Sequence, residues 1–144
     1  RGKLRMVQNL VVAKYRDGRM VKGVTYNFSA DRKFFHVLPL SQEREGSKKG
    51  TEVMISELKA IFFVKSLEGR GIFPPHEILW NEEENRRSAR KIRVTFFDGE
   101  TLVGTTFGFN RSREGFFIVP LEKESNNLRI FVVFNAIKEI ETLK

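Results

Sequence analysis

Cysteine is absent from this chain of 144 residues. Disulfides, thiolate nucleophiles and cysteine-based zinc sites are therefore excluded, and a cytosolic (cytoplasmic) setting fits. Histidine is scarce: only His36 and His76 occur, in unrelated contexts. Neither belongs to a Ser-His-Asp arrangement, and no glycine spacing matches a phosphate-cradling loop that opens a helix. The chain is accordingly expected not to be an enzyme and to hold no metal and no resident cofactor. No apolar run approaches the roughly 20 residues needed to span a bilayer. The chain opens on Arg1 rather than a methionine and is expected to be a trimmed piece of a longer protein, so no targeting is read from it. Acidic residues are in the minority, 18 against 26 Lys and Arg, giving a formal charge of +8 and a pI near 10.0. That imbalance favours an anionic partner such as a nucleic acid, a nucleotide or an acidic protein; the plain alternative is solubility alone.

What is present is a β-rich pattern that occurs twice. VVAKYRDGRMVKGVTYNFSADRKFFHVLPL reappears as VTFFDGETLVGTTFGFNRSREGFFIVPL. Asp17-Gly18 matches Asp98-Gly99, Gly23 matches Gly104, Phe28 matches Phe109, Phe35 matches Phe116, and Pro39-Leu40 matches Pro120-Leu121. The spacing is constant, since 98 − 17 = 81 and 120 − 39 = 81. Asp-Gly between alternating apolar runs predicts two-residue type I′ hairpins. Strands are expected over 9–16, 19–28, 34–40, 53–55 and 60–65, with a single helical turn at Ser56 to Lys59. The second set is expected to begin at Ile92. Gly23 suggests a bulge or sharp bend, and the third strand, apolar but for His36, should be covered on both faces. Asn135-Ala136 aligns with Lys59-Ala60, so the second copy's late loop is read as five residues shorter (81 − 76 = 5). The fourteen phenylalanines fall on these strands and read as core; a base-stacking surface would need them exposed.

The fold class that follows is all-β, with two tandem small barrels of five to six strands, SH3-like or Sm-like, related by internal duplication. The first barrel is placed at 1–69 and the second at 92–144. Residues 70–91 form a linker that carries Pro74-Pro75, an anchoring Trp80, and a switch from Glu82-Glu83-Glu84 to Arg86, Arg87 and Arg90.

One constellation points to chemistry. Arg86-Arg87-Ser88-Ala89-Arg90 is an R-x-x-x-R string, and Asn110-Arg111-Ser112-Arg113-Glu114-Gly115 is N-x-S-x-x-G. The pair resembles the PilZ family of β-barrel receptors for cyclic di-GMP. The resemblance implies a ligand held by Arg86, Arg87 and Arg90, with Asn110 and Ser112 giving polar contacts and Gly115 allowing close approach. Guanidinium groups suit phosphates and guanine edges. A second resemblance covers nearly the whole chain. YRDGRMVKGVTYNFSADRKFFHVLPL with ELKAIFFVKSLEG, and FFDGETLVGTTFGFNRSREGFFIVPL with SNNLRIFVV, are similar to an uncharacterised bacterial family of duplicated barrels; this implies a fold and a bacterial source but no activity. The leading expectation is a regulatory module for cyclic di-GMP. An Sm-like nucleic-acid binder, or a protein-interaction module with no small ligand, remain the alternatives.

Overall fold

The computed structural model describes residues 9–39, 50–67, 89–121 and 126–143. Over them the chain is all-β. The strands are β1 (Asn9–Tyr15), β2 (Met20–Thr25), β3 (Phe34–Val37), β4 (Thr51–Met54), β5 (Leu58–Val64), β6 (Arg90–Phe96), β7 (Thr101–Thr106), β8 (Gly115–Pro120), β9 (Asn127–Val133) and β10 (Ile137–Thr142). Short 3-10 turns, Ile55–Glu57 and Phe134–Ala136, precede β5 and β10.

Eight strands form one open sheet in the order β10-β6-β7-β8-β9-β5-β1-β2, while β3 and β4 form a separate pair. A single bridge, Val24↔Leu38, links β2 to the segment just after β3. The expected pair of closed barrels is thus replaced, among the described residues, by a large sheet that crosses between the halves and a small one. The crossing is the antiparallel pairing of β5 with β9, Ala60↔Val132 through Phe63↔Arg129.

That pairing explains the composition of the two strands. In an antiparallel sheet with one wet face, polar and apolar residues alternate. Here Ala60, Phe62, Ile130 and Val132 face one apolar cluster, and Ile61, Phe63, Phe131 and Val133 face another. Both faces are covered, so IFFV and IFVV are continuous apolar runs. The first cluster is built around Ile92, Val94, Phe96, Phe116 and Ile118, and it also takes Leu10, Val24 and Leu67 from the first half. The second is built around Val11, Ala13, Tyr15, Phe35 and Val37. β3, by contrast, alternates between half-buried and buried positions. The expectation that both its faces are covered was too strong: Phe34 and His36 face a wetter side than Phe35 and Val37.

The hairpins depart from the two-residue expectation. The Gly18 N–H donates to the Tyr15 carbonyl at 3.1 Å, and the Tyr15 N–H donates to the Arg19 carbonyl at 2.8 Å. Three residues therefore form the loop. Only Gly18 needs the left-handed region, at φ +99°, which is the usual form of a type I turn closed by a glycine bulge. Asp17 Oδ1 stabilises it by accepting the Arg19 N–H at 3.0 Å. The second hairpin makes the corresponding bonds, Gly99 to Phe96 at 2.9 Å and Phe96 to Glu100 at 2.8 Å, with Gly99 at φ +95°. Gly23 is a site of close approach: a Cβ there would strike the backbone at Leu38.

Register corrects the late alignment. β3 pairs Phe35 with Val53, and β8 pairs Phe116 with Val132. The spacings are 116 − 35 = 81 and 132 − 53 = 79. The 3-10 turns at Ile55 and Phe134, and the strands that follow from Leu58 and Ile137, keep the second value, so an alignment at 76 does not match the elements: Lys59-Ala60 lies in β5, whereas Asn135-Ala136 lies in a 3-10 turn.

Candidate ligand-binding surface

The segment between β7 and β8, residues 107–114, carries the N-x-S-x-x-G string. Its chemistry begins as turn chemistry. The Ser112 N–H and hydroxyl both donate to Asn110 Oδ1, at 2.9 and 2.7 Å, and the Arg113 N–H donates to the Asn110 carbonyl at 3.0 Å. A short polar side chain that bonds the backbone two residues on is the standard way to stabilise such a turn. The first half does the same with Ser29, whose hydroxyl accepts the Asp31 N–H at 3.2 Å. Asn110 and Ser112 are exposed and adjacent, but the amide oxygen of Asn110 is engaged by Ser112. The amide nitrogen and the Ser112 oxygen lone pairs are the groups left to face a ligand.

Gly115 has a packing part in the sheet. It is buried as the first residue of β8, opposite Val133. A Cβ at this position would overlap the Val132 carbonyl oxygen and reach the Phe131 ring at 2.9 Å. The absent side chain makes room for β9.

Arg90 is the first residue of β6 and is exposed. It pairs opposite Thr106, the last residue of β7. The register thus brings Arg90 to the end of the β6–β7 ladder from which the 107–114 segment departs. Arg86 and Arg87 lie outside the described residues, as does Trp80. At the same end, Phe107 and Phe109 are 38% and 42% exposed, which the core reading of the phenylalanines did not anticipate. Phe109 sits 4.7 Å from Phe116 and 5.9 Å from Phe134 between ring centres, and the Arg111 guanidinium lies over Phe109 and Phe134 at 5.6 and 4.9 Å. The sequence carried no signal for the exposed Phe109: Phe28, 81 residues earlier, is also a phenylalanine and packs on Phe35, Phe63 and Phe131.

Two ion pairs tie this segment to the matching loop of the first half, Arg113 Nε to Asp31 Oδ1 at 2.9 Å and Lys33 Nζ to Glu114 Oε2 at 3.2 Å. They line a polar groove of about 100 Å³. On β9, the Arg129 guanidinium packs against both Phe63 and Phe117, at 4.5 and 4.3 Å from the ring centres, in the corner formed by the two tilted rings. Burial lowers its pKa from the usual guanidinium value to about 10.

The match to known families is decided by coverage: the model of a family of unknown function, DUF6982, matches residues 7–144. The chain belongs to DUF6982. No curated protein and no solved structure matches it at a significant level. For this DUF6982 chain the described residues contain no group of three or more His, Asp or Glu placed to hold a metal ion, and no helix long and apolar enough to cross a membrane. The surface presents the Arg90 and Arg111 guanidinium groups, the exposed rings of Phe107 and Phe109, and the short polar side chains of Asn110 and Ser112.

Proposed function

We propose that the chain is one small barrel-type β unit written twice, and that it works as a non-catalytic bacterial regulatory module binding cyclic di-GMP. In this reading the ligand is held by Arg86, Arg87 and Arg90 and by the turn from Asn110 to Gly115. The observation that carries it is the register that sets Arg90 opposite Thr106, at the root of the 107–114 segment. A cyclic dinucleotide presents two phosphates and two guanines. Arginines pair with the phosphates or the guanine edges, and Phe107, Phe109 and Arg111 offer stacking surface. Gly115 contributes by letting β8 and β9 close beneath the turn. The duplication is supported by the recurrence of turn bonds 81 residues apart and of strand pairings 81 and 79 apart.

Calorimetry tests the ligand. Cyclic di-GMP should give saturable heat that falls in Arg86→Ala and Arg90→Ala. No heat at high micromolar ligand, in a folded protein, removes the proposal. Exposed Phe107 and Phe109 beside Arg111 also favour a second reading, a single-stranded nucleic-acid binder. It requires affinity for an unstructured RNA that falls steeply as salt rises; affinity flat in salt would exclude it.

A further inference from the structure

The β6–β7 hairpin has a second end, away from Arg90, and it opens on a cleft of about 420 Å³. That volume lies in the range of roughly 300 to 1,000 Å³ common for small-ligand sites. Both halves build it. Arg16 and Lys59 come from the first, and Phe96, Phe97, Asp98 and Asn135 from the second. Phe96 is buried and forms floor, whereas Phe97 is 69% exposed. It occupies the turn position that Arg16 holds in the first hairpin (97 − 16 = 81). Covering so exposed a ring is favourable in proportion to the apolar area removed from water.

The polar groups are mixed in kind. Lys59 Nζ donates to Asp98 Oδ2 at 2.7 Å and to Glu100 Oε1, and its side chain is only 11% exposed, so this cation is already engaged. Arg16 Nη2 donates to the Ser56 carbonyl at 3.0 Å, and among the described residues no carboxylate pairs with it. One of its five guanidinium donors is thereby used. Asn135 Nδ2 donates to the same carbonyl at 3.2 Å, which leaves its Oδ1 as an acceptor. Of the lining side chains Arg16 and Lys59 are cations and Asp98 an anion, and Glu100, which lies outside the lining but pairs with Lys59, brings the local formal charge to zero. The cleft therefore has no bias towards an anion, and offers a stacking wall, a fixed donor, Asn135 Oδ1 as an acceptor, and the second lone pairs of Asp98, whose Oδ1 already accepts the Glu100 N–H at 2.9 Å and whose Oδ2 accepts Lys59.

We infer that this cleft binds a neutral planar heteroaromatic ring of the purine class, stacked on Phe97 and held at its edge by Arg16, Asn135 and Asp98. The inference does not rest on the cyclic di-GMP reading, because it uses another end of the hairpin and no phosphate. Guanosine and adenosine, which lack phosphate, are the probes, titrated into the isotopically labelled full chain and followed by amide shifts. Saturable shifts are expected at 97–100 and 135–137. Phe97→Ala should weaken binding about ten-fold, as loss of one stacked base contact does. Phe97→Trp should retain it, and Arg16→Gln should weaken guanosine. Phe97 and Arg16 are exposed, so these variants keep the core intact. No saturable shift up to the solubility limit, or unchanged affinity in Phe97→Ala, overturns the inference. So does cyclic di-GMP shifting the same amides with Phe97→Ala abolishing both ligands, since the cleft would then be part of one nucleotide site. Nucleoside binding without any response to cyclic di-GMP would support the cleft while removing the other proposal.

Discussion

Replacing Gly115 with alanine separates a packing role from a ligand-contacting one. The residue lacks a positive φ, so the backbone conformation itself admits any side chain. The obstacle is space. The new Cβ would overlap the Val132 carbonyl oxygen and touch its carbon and the Phe131 ring, each at 2.9 Å. Phe131 and Val132 are both fully buried on β9, which lies between β8 and β5, so neither has room to yield. Overpacking a well-filled core costs about 1–3 kcal/mol. Taking about 2 kcal/mol, with a urea dependence of about 1–3 kcal/mol per molar, the midpoint should fall by about 1 M. Heat denaturation should show a drop of several degrees. Gly108→Ala is the control in the same loop. Nothing lies within 4 Å of its would-be Cβ, and its cost arises only from φ +117°. If Gly115→Ala keeps wild-type stability while cyclic di-GMP binding disappears, the packing argument is wrong and the glycine serves the ligand.

Phe131→Ala should cost about 3–5 kcal/mol in chemical denaturation, because its ring is fully buried on the strip shared by both halves; a loss below 1 kcal/mol would contradict that placement. The Lys59 cluster should give a modest acid dependence. The Lys59 hydrogen bond, and then the Glu100 N–H, hold the Asp98 carboxyl below its usual range. A depressed carboxylate contributes stability that is present above its unfolded pKa, near 4, and is lost as pH falls through the lower folded value. Asp98→Asn should flatten that acid limb, and because the acid is exposed the amplitude should stay within about 1 kcal/mol. Glu139→Val with Glu141→Val should make sedimentation concentration-dependent where wild type is less so, since these exposed carboxylates lie on the outer strand β10, which pairs only with β6 among the described residues. Charges on an edge strand oppose addition of further strands.

How far the sequence led differs between the strands and their neighbours. Local signals worked where the cause is local. Asp17-Gly18 and Asp98-Gly99 marked both hairpins, and the alternation in Val11, Ala13 and Tyr15 marked a buried face. The turn type was missed because a bulged loop and a two-residue loop both want Asp-Gly, and only the bond from Gly18 to Tyr15 tells them apart. The pairing of β5 with β9 could not be read, since partners some seventy residues apart leave no mark beyond both strands being apolar throughout. That feature was visible in IFFV and IFVV, but burial of both faces has several structural solutions. At the candidate surface, the bonds of Ser112 to Asn110 and the packing of Gly115 against β9 were not legible, because a glycine needed for backbone approach looks the same whether a ligand or a strand approaches.

The strip made by β5 and β9 bears on how the molecule can be divided. Six of the fourteen buried residues in the larger cluster, Leu10, Val24, Ala60, Phe62, Val64 and Leu67, belong to the first half of the chain. A gene cut between β5 and β6 would release two fragments, each with a bare greasy strand and a half-filled interior. Such fragments should precipitate singly and recover structure only when mixed, and the intact molecule should melt in one step as a single thermodynamic body.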